Sequence, residues 1–281
     1  MKKKNKRFVK LKKALAGFLA LVLVVGLTIA GTLAWLSTQS NTVTNVFTAT
    51  ENIYLTLVEP DYNPDEAAKY KPDGTIPKNP YLVNTTGVND SEWVMIRVDY
   101  LIKESGEASF KNETRESLTS KLFSLPGYLG NGWKKVDTST YTGLDLSKVV
   151  DASENEGTSA KCEFYVYNKA LVGTTDVGSS YRTQDELEAG IKGTLTVPET
   201  AKTTPLFTGV TIKAQDELGY TTDKLPNFNI VIQGAAVKNE GTDAGIASGN
   251  LTGDTKEAAI VQKLVDLLAT KAPNPTSGNV S

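Results

Sequence analysis

The sequence predicts an all-β fold, a β-sandwich with a few peripheral helices. Two segments carry the clearest signal, because Asn52–Val58 and Trp93–Ile102 show the two-residue alternation of a strand. Gly, Pro, Asn and Asp residues separate such segments, as turns require. About seven to nine short strands with few helices are typical of one sandwich domain.

Further segments rich in Val, Ile, Thr, Tyr and Phe are also predicted as strands. They are Pro80–Thr85, Lys161–Tyr167, Gly193–Val197, Leu206–Ala214 and Asn227–Val237. The sandwich domain is predicted to span residues 51–271. Between its strands, Pro60–Pro80 reads as a long exposed connection, because it is rich in Pro and Lys.

Two segments have a helical pattern. Glu113–Leu122 places Leu118 and Leu122 on one face. At the other end of the chain, residues 254–271 open with a capping-box pattern and continue with an apolar stripe, which predicts an amphipathic helix. That helix could pack on its own sandwich or dock on a neighbouring molecule. The tail, 272–281, is predicted to be disordered.

The N-terminus has the three parts of a secretory signal peptide. The first 13 residues carry eight Lys/Arg and no acid, an uncharged apolar run follows to Ala30, and small residues come next. Residues 1–34 are therefore predicted to be removed by a cut between Ala34 and Trp35. The alternative is a retained anchor, because the apolar run is at the lower limit for spanning a bilayer.

Removal of the signal peptide would make the chain strongly acidic. The precursor has 30 basic and 32 acidic residues, so losing eight basic ones changes its formal charge from −2 to −10. A nucleic-acid partner is excluded, because nothing supplies the clustered positive charge that displaces phosphate counterions.

The residues of most catalytic and metal sites are missing. There is no histidine, which excludes Ser-His-Asp and Cys-His nucleophiles and His-based zinc sites, and the single Cys162 can form no internal disulfide. We predict no enzyme, no cofactor and no metal. A two-carboxylate glycosidase stays open, because sequence does not reveal which acids pair in space. Asp61, Asp65 and Glu66 are interpreted as a surface loop, with calcium as the alternative.

Three segments resemble the TasA/camelysin family of Gram-positive bacteria. The first is the junction after the signal peptide, where the matching residues are Gly31, Thr32, Ala34, Trp35, Val43, Thr44, Asn45, Phe47 and Thr48. The second runs from Pro77 to Gly87 and continues in Trp93–Val98, and the third is Phe228–Gly241. Residues 105–220 have no counterpart in this resemblance and are interpreted as this chain's own insertion.

The resemblance implies a jelly-roll-like β-sandwich that is secreted to the extracellular matrix or cell surface. It also implies export through a SipW-type signal peptidase and a role in biofilm-matrix fibres, with other copies or related fibre subunits as partners. No stable membrane anchor would remain after cleavage. The metalloprotease activity assigned to some members does not carry over, because this chain has no histidine.

Cleavage would free residues 35–50 as a segment with strand pattern. Val43, Asn45 and Phe47 fall on one face of such a strand, and Val46 falls on the other. The segment could complete its own sandwich. Alternatively, it could add to an open edge of the next subunit, and repetition of this contact would give a filament. A different reading of the same sandwich is a monomeric cell-surface adhesin or binding module.

Overall fold

Strands make up most of the regular structure of the chain. The computed structural model describes residues 55–63, 67, 69–85, 90–130, 132–141, 143–150, 161–173, 197–221, 224–239 and 255–269. The elements are β1 (Leu55–Val58), β2 (Thr75–Pro77), β3 (Tyr81–Asn84), β4 (Ser91–Lys103), β5 (Lys111–Glu113), α1 (Arg115–Lys121), β6 (Phe123–Ser124), β7 (Trp133–Val136), β8 (Glu163–Tyr167), β9 (Leu171–Val172), a 3-10 turn (Glu199–Ala201), β10 (Gly209–Ile212), β11 (Asn227–Lys238) and α2 (Thr255–Leu268).

The largest sheet is built around the long antiparallel pair β4 and β11, called here the central ribbon. Its strand order is β11-β4-β8-β7, and the short strands β5 and β9 also pair with β4. All twelve residues of β11 pair with β4, from Asn227 opposite Lys103 to Lys238 opposite Glu92. Two smaller antiparallel sheets, β1-β3 and β2-β10-β6, complete the β-structure among the described residues.

Both faces of the central ribbon are buried. Even-numbered residues of β4, such as Val94 and Ile96, lie in the main core with Leu82 of β3 and Val210 of β10, and we call this side the sheet face. The odd-numbered residues Trp93, Met95, Ala235 and Val237 lie under α2 in a second core, and we call this side the helix face. Farther along the same side, Leu101 and Val231 form a small separate cluster. The ribbon therefore forms the middle layer of the fold.

The two helices have clear local causes. Thr114 caps α1, because its hydroxyl accepts the backbone N–H of Ser117 at 3.1 Å, and Leu118 anchors the helix in the main core. On the helix face, α2 buries a stripe of Val261, Leu264, Val265 and Leu268. None of the described helices is long and apolar enough to cross a membrane.

The coarse fold prediction is confirmed, since the described part of the chain is mostly β-structure with two helices. Residues 105–220, interpreted as an insertion, supply β8, and this strand lies between β4 and β7 within the largest sheet. The segment is therefore part of the sheet and does not merely decorate it. The predicted strand at Gly193–Val197 lies almost wholly outside the described residues, as does the tail 272–281.

Candidate functional site

The residues predicted from the sequence to act in export and assembly precede the first described residue, Leu55. They are the cleavage pair Ala34 and Trp35 and the strand-exchange residues Val43, Asn45, Val46 and Phe47. The cleavage bond and the donor strand therefore stay predictions. The structure does describe the edges to which such a strand could add.

The outer edge of β11 is the longest strand edge of the largest sheet that has no described partner strand. β11 ends the largest sheet, and no described strand pairs with its outer side. Asn239 donates its backbone N–H to the Ser91 carbonyl at 2.8 Å, and hydrogen-bonded pairs alternate along an antiparallel ladder. The odd-numbered residues of β11 therefore bond to β4. The even-numbered residues, from Phe228 to Lys238, direct their N–H and C=O groups outward.

Most of this edge strand lacks the charged residues and prolines that usually oppose strand addition. Natural edges are kept apart by charged residues, proline or very short length. From Phe228 to Val237 the edge strand has no charged residue and no proline. At twelve residues it extends about 40 Å, whereas the opposite edge strand of the sheet, β7, has four residues. The outer edge of β11, called here the acceptor edge, is the candidate functional site.

The described chain begins on the sheet face of β11. A Cβ placed on Gly234 of β11 would lie 3.3 Å from a methyl group of Leu55, the first residue of β1, and 2.7 Å from one of Leu82. The preceding segment, which contains the predicted donor strand, thus connects to the fold next to the middle of β11. Leu55 is five positions after Thr50, so their Cα atoms are at most about 17 Å apart.

A polar cluster lies on the other side of the sheet, around Glu163 of β8. Its carboxylate accepts hydrogen bonds from Lys135 Nζ at 2.5 Å, Arg115 Nε at 3.1 Å and the Tyr165 hydroxyl at 2.5 Å. Because Tyr165 donates to Glu163, it accepts the hydroxyl proton of Tyr128. These bonds join β7, β8, α1 and the loop after β6, so the cluster holds together the part of the sheet remote from the acceptor edge.

Burial controls the acidity of the tyrosines in both cores. Burial raises the pKa of Tyr128 to about 12, an effect that the hydrogen bond with Tyr165 partly opposes. Burial, and then the charges of Glu257 and Asp137, raises the pKa of Tyr141 to about 12. For Tyr165 the pKa is raised well above its ordinary value, first by burial and then by Tyr100.

Alkaline pH is therefore expected to destabilise the fold. In the unfolded chain a tyrosine loses its proton near pH 10. Folded Tyr128 and Tyr141 keep their protons to about pH 12, so the folded state binds more protons between these values and its stability falls as pH rises through them. Phenolate absorbance and circular dichroism recorded together should show late ionisation that accompanies unfolding. Full ionisation of the tyrosines near pH 10 with an intact fold would contradict this expectation. The variant Tyr141→Phe removes one of these phenols, so its stability should depend less on pH in this range.

The acidic loop near β1 contains a hydrogen-bonded pair. Asp61 accepts a hydrogen bond from the Asn79 side-chain amide at 2.7 Å, while Asp65 and Glu66 lie outside the described residues. Among the described residues, no group of three or more Asp, Glu or Cys side chains is placed to hold a metal ion. The predictions of no metal and no enzyme stay predictions.

Sequence reasoning missed a fully buried charged pair in β4. Arg97 of β4 is completely buried and forms two hydrogen bonds of 2.8 Å with the carboxylate of Asp99. The signal was present, since an Arg and an Asp two residues apart inside an apolar strand must face the same side and satisfy each other.

The comparisons with known proteins give no assignment for this architecture. No protein-family model, no curated protein and no solved structure matches the chain.

Proposed function

We propose that this protein is a secreted structural protein, a subunit or accessory of extracellular biofilm-matrix fibres that assembles by β-strand addition. The observation that carries the proposal is the acceptor edge, a twelve-residue strand edge with no described strand beside it and no charge or proline from Phe228 to Val237. Such an edge is a template for another strand.

Residues 35–50 of a second copy are the occupant that fits this edge. Their alternating pattern would supply backbone groups for the ladder, and the two sets of alternate side chains would set the register. Donor and acceptor are different surfaces, so the contact does not close on itself and repeats into a filament. Export and cleavage would control assembly, because the uncut signal peptide blocks the donor segment.

The finer description of the fold and of the export route belongs to the same proposal. We infer a jelly-roll-like connectivity for the sandwich, release by a SipW-type signal peptidase and residence in the matrix or at the cell surface of a Gram-positive bacterium. Support comes from the three resembling segments, the third of which, Phe228–Gly241, contains most of the acceptor edge.

Deletion of residues 35–50 from the mature protein is expected to abolish filament formation. The truncated chain keeps the described fold and the acceptor edge but has no strand to donate. Secreted protein with a sequenced N-terminus and the deletion variant would be compared by negative-stain electron microscopy at equal concentrations. A point variant, Phe47→Asp, should weaken assembly in the same direction while the monomer stays folded.

Three outcomes distinguish the possible roles of residues 35–50. Equal filaments with and without it would reject strand donation. An intact protein that stays monomeric at high concentration, and whose melting temperature falls on deletion, would mean that the segment completes its own sandwich. A monomer that binds cells or glycans would favour the adhesin reading.

A further inference from the structure

Helix α2 lies over the central ribbon next to the acceptor edge. Its buried residues Leu264 and Val265 share the second core with Ala235 and Val237 of β11 and with Met95 of β4. A strand added beside β11 would therefore run alongside α2.

One flank of α2 is fixed by the loop of residues 143–150. The Gln262 side chain accepts the Asp145 N–H at 2.7 Å and donates to the Asp145 carbonyl at 3.0 Å, and Val150 donates its N–H to the Ala269 carbonyl at 3.0 Å. This loop follows β7 and packs in the second core with β8 residues, through Leu144. The bonded flank of α2 thus faces β8 and β7, away from the acceptor edge.

The opposite flank carries Ile260 and Leu267. At 100° per residue, these two positions lie about 150° around the helix from Gln262. Both are only partly buried against the second core. Since the Gln262 flank faces β8 and β7, Ile260 and Leu267 face the outer side of β11.

We propose that Ile260 and Leu267 form one wall of the acceptor groove and select the apolar face of the incoming strand. This rests on the proposed function, with residues 35–50 of a second copy as the occupant. On the sheet face of β11, Leu55 and Leu82 already fill the space at Gly234. The bulkier face of the donor, which carries Val43 and Phe47, therefore meets α2.

Arg97 keeps this wall in place. Its guanidinium donates to the Leu268 carbonyl at 2.7 Å and to the Val150 carbonyl at 2.5 Å, while Asp99 holds it from the other side. Carbonyls at a helix C-terminus lack partners within the helix, so a buried cation there fixes the helix end. Arg97 is in this sense a positioning residue for the groove.

The test is a double variant, Ile260→Ser with Leu267→Ser, in the mature protein. Its critical concentration for filament formation is expected to rise about tenfold or more, because two apolar contacts of the interface are lost. Leu146→Ser is the matched control, since Leu146 packs partly buried against the same core from the loop on the other flank. It should lower the melting temperature comparably and leave the critical concentration close to that of the parent.

Mixing experiments separate acceptor loss from misfolding. The double variant keeps its donor strand, and the variant lacking residues 35–50 keeps its groove. Below the raised critical concentration of the double variant, their mixture should therefore contain a discrete 1:1 dimer, in which the deletion variant binds the donor strand of the double variant, and no filaments. Normal filaments from the double variant, or equal effects of Leu146→Ser, would overturn the inference. A parent protein that forms no filaments would overturn the proposed function instead.

Discussion

Replacing Ala236 by proline is expected to abolish fibre formation while the monomer stays folded. The N–H of this even-numbered residue points out of the sheet, away from β4, so the monomer loses no ladder bond. An incoming strand would lose a donor at the middle of the edge and meet the proline ring there. The residue before it, Ala235, is already extended in a strand, as a residue preceding proline prefers.

The neighbouring alanine supplies the matched control. Ala235 and Ala236 are equally small and buried, 2% and 3% exposed, but the N–H of Ala235 bonds to β4. Ala235→Pro should therefore destabilise the monomer by about 3 kcal/mol or more, while Ala236→Pro should cost about 2 kcal/mol or less. Chemical denaturation gives the stabilities, and electron microscopy gives the fibres. Abundant fibres from Ala236→Pro would show that this edge is not the acceptor.

The sequence predicted those elements whose pattern lies within a short segment of the chain. The alternation in Trp93–Ile102 and Asn227–Val237 marks the two strands of the central ribbon, and the structure extends them to Ser91–Lys103 and Asn227–Lys238. The apolar stripe in residues 254–271 lies in the helix Thr255–Leu268. Each of these features follows from residues a few positions apart, whose period alone determines the element.

Pairing between distant segments was not predictable in this way. β8 lies in the largest sheet because Glu163–Tyr167 pairs with β4, some 65 residues earlier in the chain, and nothing local marks that partner. The same holds for the acceptor edge. That β11 ends the sheet depends on which strand lies beside every other strand, and a single sequence contains no such information.

The alternation of apolar and polar residues in a strand does not predict that a charged pair is buried. Alternation alone assigns Arg97 and Asp99 to the polar, solvent side of β4. In the structure that side is covered by α2, and both residues are almost fully buried. The pair is tolerated there because the carboxylate neutralises the guanidinium and two backbone carbonyls accept two of its three other N–H groups.

The same arrangement predicts the largest loss of stability from one substitution. Asp99→Ala would leave the Arg97 charge buried without its counter-ion, and removal of one partner of such a pair costs about 3–5 kcal/mol. Because Arg97 also holds the Leu268 and Val150 carbonyls, the C-terminal turn of α2 should loosen as well. Chemical denaturation would measure the first effect, and faster amide exchange in the last turn of α2 the second.

An exposed ion pair is the control that separates burial from charge. Lys238 Nζ lies 3.2 Å from Asp90 Oδ1, and both side chains are about half exposed, 51% and 45%. Water and salt screen such a pair, so Lys238→Ala should change the free energy of unfolding by about 1 kcal/mol or less. If the two substitutions cost the same, the Arg97–Asp99 pair is not desolvated in solution. The rigid attachment of α2 to the central ribbon would then lose its physical basis, because the helix end would be held only by bonds that water can replace.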